Sequence, residues 1–440
     1  MITNPQAVPL PSRIGPRNLL RWPQRLREHG AMVLGGSLIM LFGSGLVSVA
    51  NFGYNVTMAR LLGPAEFGHV TAVATLLMLA SAVTLSFQLV CAKFIARNVT
   101  SAGKAAIHDS LMRRAWVIGG AMGVGVILAS PGIARLLRLP TPMFIVLLGA
   151  GLFCYPALGV KRGVLQGACN FRHLSGNFVL EAVVKLVAAV FFVWVGFGSL
   201  GAIGGVALSL FAAFAFARIA FHGGGSTEQL VPASFREAMQ VIVFFVGQVV
   251  LSNIDILLVK YFFPPSEAGL YAAVALVGRL LYFAAWSIVS AMFPVSASNT
   301  AAPDKRPDHV LFTPLMMVFG ISVVYTALMA AFPRTIVALL FGTGFQEAEP
   351  LLSLYAMATG LYALSVVLMT YEMSRRIVNT GWLQLIFSGV LVVAISVFHT
   401  SLREVVLVQL VIMSLLLAAV SIPFLRQYSR KDSQRLQEAA

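Results

Sequence analysis

Leu61-Leu62-Gly63-Pro64-Ala65-Glu66-Phe67-Gly68 sits between two long apolar runs, and it returns 201 residues later as Phe262-Phe263-Pro264-Pro265-Ser266-Glu267-Ala268-Gly269. Pro64 falls on Pro265, Glu66 on Glu267 and Gly68 on Gly269. The register then continues, with Ala72-Val73-Ala74 over Ala273-Val274-Ala275. One turn used twice at the same depth predicts two related halves. Each proline stops the helix before it and suits the opening of the next. The glycines permit close packing. Glu66 and Glu267 stand beside Arg60 and Lys260, where each caps the following helix or makes a surface pair.

The runs on either side fix the class. The chain is 58% hydrophobic and only 11% charged, with a mean hydropathy of +0.87. A soluble domain carries about a quarter charged residues. The sequence is therefore that of a polytopic membrane protein. A net charge of +15 would suit nucleic acid, but the cations sit in short segments between apolar runs, which is an orientation signal. Nucleic acid is not an expected partner.

Twelve all-helical spans are predicted, near 32–59, 68–92, 115–134, 142–165, 174–197, 200–221, 238–262, 268–294, 311–333, 348–370, 377–399 and 403–425. Each is long enough to cross about 30 Å of hydrocarbon as a helix. Gly119, Gly120, Gly123 and Gly125 let neighbours approach the third span closely. Pro156 and Pro314 are candidate hinges in spans four and nine. With a cytoplasmic N-terminus, inside segments hold 23 Lys and Arg residues and outside turns hold six, with Lys185 and Arg279 left inside spans. The positive-inside rule therefore places both termini in the cytoplasm and both copies of the repeated turn outside.

Residues 1–30 read as a basic cytoplasmic arm rather than a cleaved signal peptide. Residues 31–221 form a first six-helix lobe. Residues 222–236, with Gly223-Gly224-Gly225-Ser226, form a flexible cytoplasmic linker. Residues 237–426 form a second six-helix lobe, and 427–440 a cytoplasmic tail. Six spans per half give both halves one orientation, so a pseudo-twofold axis runs along the membrane normal with a cavity between the lobes.

Polar residues inside the spans are candidates to line that cavity, because facing lipid is costly. In span one Ser44, Ser48, Asn51 and Asn55 share a helical face, and in span seven Gln248, Ser252 and Asp255 do. Span eight carries Arg279, Tyr282, Trp286 and Ser290. Span ten offers Tyr355, Thr359 and Tyr362, and span two Ser81, Thr84 and Gln88. For the neutral stripes two readings stand, cavity lining and helix-to-helix hydrogen bonding. The charges are more telling, since each costs about 2.5–3.5 kcal/mol at a helix centre. In span five Glu181 and Lys185 are one turn apart and placed to pair with each other. Asp255 and Arg279 are placed to pair across spans seven and eight. An Arg beside Tyr and Trp suits an anionic head group with attached sugar, because guanidinium forks onto phosphate and aromatic faces stack on sugar rings.

Motifs for catalysis are missing. Gly196-Phe197-Gly198-Ser199-Leu200-Gly201 spells GxGxxG, but it joins two apolar spans with no strand before it. There is no Walker lysine, no HExxH and no triad, so neither an enzyme nor a resident cofactor or metal is expected. Cys91, Cys154 and Cys169 form no CxxC pair and read as packing residues.

Three patches resemble bacterial polysaccharide-biosynthesis flippases of the multidrug/oligosaccharidyl-lipid/polysaccharide exporter superfamily. Met58-Ala59-Arg60-Leu61-Leu62-Gly63-Pro64-Ala65-Glu66-Phe67-Gly68 looks like their first outer turn. Ser252-Asn253-Ile254-Asp255-Ile256-Leu257-Leu258-Val259-Lys260-Tyr261-Phe262, with Glu267-Ala268-Gly269-Leu270-Tyr271-Ala272-Ala273, is similar to their seventh and eighth spans. Gly163-Val164-Leu165-Gln166-Gly167 and Asn170-Phe171-Arg172 resemble their fourth-to-fifth loop. The resemblance implies a bacterial inner-membrane flippase. It would pass a polyprenyl-pyrophosphate-linked oligosaccharide to the outer leaflet by alternating access among the membrane lipids. A proton or sodium gradient would drive it, and a polymerase and glycosyltransferases would be neighbours. Under that reading Arg279, Lys185, Tyr282, Trp286, Asn51, Asn55, Gln248 and Ser252 are substrate candidates, and Asp255 and Glu181 are ion-coupling candidates. Two rivals are a drug/cation antiporter of the same superfamily and a non-transporting scaffold of a polysaccharide synthesis complex.

Overall fold

A computed structural model of the chain describes residues 22–98, 100–219, 243, 246–298, 308–375 and 380–438. The 222–236 linker and most of the N-terminal arm lie outside the described residues. So does the side chain of Ser290.

The fold is all-α. Helix α1 (Trp22–Arg97) holds the first two spans in one assignment, bent at Gly63. Gly63 has φ 75° and ψ 176°, a conformation a side chain would strain. The next residue, Pro64, opens the second arm. The repeated turn thus shrinks to a single-residue kink in its first copy. The second copy is looser. Helix α7 (Ile254–Phe262) ends before an extended Phe263, and α8 (Pro265–Ser298) starts on the second proline.

Between these copies run α2 (Ser101–Leu128), α3 (Ser130–Leu136), α4 (Met143–Gly167), α5 (Phe171–Phe192) and α6 (Gly198–Phe216). After α8 come α9 (Asp308–Ala331), α10 (Pro333–Leu340), α11 (Glu349–Arg375), α12 (Thr380–Val397) and α13 (Leu402–Glu438). Eight helical stretches among the described residues are long and apolar enough to cross a membrane; two of them, Phe42–Arg97 and Phe171–Phe216, each hold two predicted spans. Trp382–Val397 is shorter. The seventh span is helical over 246–251 and again in α7. All twelve predicted spans therefore have a helical counterpart.

The third span departs from its predicted limits. It begins at Ser101 rather than near 115, because Thr100 caps it by accepting a hydrogen bond from the Gly103 N–H. Its glycines pack as expected. A Cβ on Gly119 would lie 2.4 Å from the Phe153 carbonyl oxygen, and one on Gly123 2.8 Å from that of Gly149. The short helices α3 and α10 were not expected from the sequence. Each follows a span and carries a proline in its first turn.

The packing forms two bundles. In the first, both α4 and α5 pack on α1, α2 packs on α4, and α5 on α6. In the second, α11 is central, against α8, α9 and α13. The seam between the bundles is the second arm of α1 against α8. There a Cβ on Gly68 would sit 2.7 Å from the Pro265 carbonyl oxygen, and one on Gly269 1.8 Å from that of Pro64. The two repeated turns thus press on each other reciprocally, glycine against proline carbonyl, as pseudo-twofold mates must. The largest apolar core crosses the seam at this level, through Tyr54, Met58, Phe67, Val259, Tyr271 and Phe345.

Candidate functional site

The hairpin end of the seam is shut by specific contacts. Arg60 donates through Nε to the Leu340 carbonyl at 2.9 Å, and through Nη2 to that of Leu339. It thereby satisfies carbonyls at the C-terminus of α10, which no helical N–H can reach. Phe67 meets Phe345 edge-on at 6.1 Å. Glu66 neither caps its own helix nor pairs with Arg60; it accepts the Ser199 hydroxyl at the start of α6. Lys260 is no exposed turn cation either. It is 1% exposed, and its Nζ lies 2.9 Å from Nδ1 of His69, itself 5% exposed. That contact joins α7 of one lobe to the second arm of α1 in the other.

A cavity lies along the seam in two halves. The second-lobe half, about 280 Å³, is lined by Arg279, Tyr282, Trp286, Gln248, Ser252 and Tyr362 among others. Its wall is an aromatic stack. The Tyr282 ring lies 6.2 Å from Trp286 and 5.7 Å from Tyr362, at interplanar angles of 23° and 17°. The Gln248 amide donates to the Tyr282 hydroxyl. The helix is interrupted at Ser252 and Asn253, and both side chains turn back on the preceding turn. Ser252 Oγ donates to the Gln248 carbonyl and Asn253 Nδ2 to that of Val249, each at 2.7 Å. Such back-bonding satisfies backbone carbonyls at the break in the helix.

The first-lobe half, about 160 Å³, is lined by Ser48, Asn51, Asn55, Glu181 and Lys185. Asn55 donates to the Asn51 carbonyl at 2.8 Å, and Lys185 donates to Asn51 Oδ1. The Lys185 ammonium also lies 5.0 Å from the Tyr54 ring centroid. Arg279, Met78 and Phe283 line both halves. All ten predicted site residues are thus in or beside one cavity. Asp255 alone stands behind its wall.

The predicted ion pairs do not form. Glu181 pairs with Arg162 of α4 at 2.5 Å instead of with Lys185, one turn along its own helix. Arg162 Nε reaches Asn177 Oδ1 at 2.8 Å, and Asn177 Nδ2 reaches the Ala213 carbonyl at 2.8 Å. One chain of bonds therefore ties α4, α5 and α6. A guanidinium offers five N–H groups in a fixed fork, which lets Arg162 hold Asn177 and Glu181 side by side.

Asp255 does not pair with Arg279. It is fully buried in the first turn of α7, where the helix dipole favours an anion. Oδ2 accepts from the Tyr271 hydroxyl at 2.8 Å, the Tyr355 hydroxyl at 3.0 Å and the Gln409 amide at 3.4 Å. Oδ1 has no hydrogen-bond partner. Arg279 lies with Nη1 3.7 Å from Met78 Sδ, and its buried Nη2 has no partner. Among the described residues, no three His, Cys, Asp or Glu side chains gather where they would hold a metal ion.

The family described as "Polysaccharide biosynthesis protein" matches residues 33–300, more than half of the 440 residues. The fold is similar to that of a MATE family multidrug resistance transporter of the MOP superfamily in its inward-facing conformation. The TM-score is 0.69 at 15% identity, over 88% of this chain and 95% of that one. Against an outward-facing conformation of such a transporter the TM-score is 0.61 at 15% identity, over 91% and 96%. A MOP superfamily transporter from Pyrococcus furiosus, described as having a binding pocket of reverse polarity, gives 0.58 at 16% identity, over 90% and 95%. At such identities the likeness is one of fold. No curated protein matches the sequence.

Proposed function

Because the chain belongs to the polysaccharide biosynthesis protein family, we propose that it is a flippase for polyprenyl-pyrophosphate-linked oligosaccharide. It takes the head group from the cytoplasmic side of a bacterial inner membrane and releases it outside by alternating access. The observation that carries this reading is Arg279. Its guanidinium stands on the seam between two cavity halves with a buried N–H left unused. A desolvated pyrophosphate needs such a partner, and a guanidinium supplies a two-pronged one. The Trp286–Tyr282–Tyr362 stack beside it offers faces for sugar rings. The lipid tail stays in the bilayer throughout.

The hairpins in contact are then the closed outer gate of an inward-facing state, with both termini and the linker cytoplasmic. The higher TM-score against an inward-facing fold, 0.69 against 0.61, supports that assignment. The gradient, of protons or sodium, acts through Asp255, whose free Oδ1 sits beside the Ser252–Asn253 break. Glu181, held by Arg162, is the weaker candidate. A cation-drug antiporter would want an accessible uncompensated carboxylate, and here one carboxylate is sealed and the other is bridged.

The test is translocation of a fluorescent polyprenyl-pyrophosphate oligosaccharide in vesicles holding the purified chain. Arg279→Ala should lower the rate about 100-fold, the scale of a lost two-pronged charge-assisted contact. Transport by Arg279→Ala at the wild-type rate and equal protein level sinks the proposal.

A further inference from the structure

We infer that the translocated head group carries a second anion, a carboxylate-bearing sugar of the uronic acid class, and that Lys185 selects for it. This rests on the flippase reading above and concerns the cavity half that the pyrophosphate does not occupy.

Four acidic or basic side chains stand in or behind the cavity walls, two of each kind. The two carboxylates are already committed. Glu181 is bridged to Arg162, whose side chain is only 4% exposed. Asp255 is fully buried behind the Tyr271 and Tyr355 hydroxyls. The two cations are not committed: neither Lys185 nor Arg279 forms an ion pair among the described residues. The space itself therefore presents two positive charges with no carboxylate bound to either. One pyrophosphate at Arg279 explains one of them.

Lys185 is differently equipped from Arg279. Of its three N–H groups, one goes to Asn51 Oδ1. Its charge lies over the Tyr54 ring, which supports a cation without neutralising it. Asn51, Asn55 and Ser48 beside it offer amides and a hydroxyl, the partners that ring hydroxyls of a sugar use. A compact ammonium suits one carboxylate, whereas the fork of Arg279 suits a phosphate. A cation with no bonded counter-ion in a partly buried cavity wall is costly. A neutral sugar in this half would leave that cost standing, and an acidic sugar would remove it.

The experiment uses the full chain in lipid nanodiscs and two probes. Both are polyprenyl-pyrophosphate trisaccharides, identical except that one residue is glucuronic acid in the first and glucose in the second. The wild type should bind the acidic probe about tenfold more tightly, one charge-assisted contact. Added salt should narrow that ratio. Lys185→Gln should bring the ratio close to one. Arg279→Gln should weaken both probes by a similar factor and leave the ratio standing. A wild-type ratio near one overturns the inference and needs no variant to fold. Equal weakening of both probes by Lys185→Gln overturns it too, since Lys185 would then serve the pyrophosphate or the packing. Failure to bind either probe is a different result, and it overturns the flippase reading itself.

Discussion

Met78 and Arg279 occupy the same place in the two halves of this molecule, 201 residues apart and face to face at 3.7 Å across the seam. The same register pairs Tyr54 with Asp255. Tyr54 is buried and spends its hydroxyl on the Ala202 carbonyl at 3.3 Å. Asp255 is buried and gathers three donors on one oxygen. At the hairpins, by contrast, the mates are still alike: Pro64 with Pro265, Gly68 with Gly269, each glycine under the other copy's proline. The repeat has kept its frame where the lobes must fit each other. It has diverged where the seam widens into a cavity. Symmetry is a packing requirement at one level and, under the proposed function, a hindrance at the next, because one asymmetric head group would not be met by two identical walls.

The hairpins give the sharpest way to break this comparison. A Cβ on Gly269 would stand 1.8 Å from the Pro64 carbonyl oxygen, and the obstacle is backbone rather than a movable side chain. Gly269→Leu should splay the hairpin end, with overpacking of about 1–3 kcal/mol or more set against the closed state. Transport should fall below detection. A cysteine pair placed across the hairpins should lose its cross-link. Gly68→Leu, against a gap of 2.7 Å, should do the same to a similar degree. A Gly269→Leu chain that transports normally would mean that the two turns are not a gate.

The second test concerns the diverged pair. Asp255→Leu strands two tyrosine hydroxyls and an amide in a buried site. At about 1–3 kcal/mol for a buried group left unpaired, with some re-pairing among Tyr271, Tyr355 and Gln409, a loss of about 3 kcal/mol is expected. Tyr54→Phe removes one long hydrogen bond and should cost about 1 kcal/mol. Thermal unfolding in detergent measures both. Equal losses would mean that the carboxylate network has no more structural weight than its tyrosine mate.

How far the sequence alone reaches follows the same division. The hairpins were legible because a proline and a glycine at a fixed offset are local signals. The cavity stripe of Asn51 and Asn55 was legible because helical periodicity is local as well. Arg279 stood out as a charge in the middle of an apolar run. Arg162 did not. It falls near the end of a span, where a cation reads as an orientation signal, and its partner Glu181 comes 19 residues later on another helix. Lys260 looked like a turn residue for the same reason, yet it is buried against His69 from the other lobe. Gln409 is a lone amide in an apolar run, with nothing near it in sequence to announce Asp255, 154 residues earlier. Pairings across helices depend on which faces meet, and no window of residues carries that.

The smallest expected effect on stability is also the one that makes the halves alike. Arg279→Met places a thioether opposite Met78, volume for volume, and removes a buried N–H that has no partner. A core arginine held by the fold would cost several kcal/mol to lose, because a partner charge would be stranded. Here no carboxylate is stranded, since Asp255 keeps its tyrosines and Glu181 keeps Arg162. Methionine adapts to irregular space. The unfolding temperature should therefore move by less than about 1 kcal/mol in equivalent stability, in either direction. A marked loss of stability would show that Arg279 braces the seam, and the asymmetry between Met78 and Arg279 would then belong to folding. Unchanged stability would tie it to the head group, because a charge that the fold does not need stays in an apolar seam only for something that passes through.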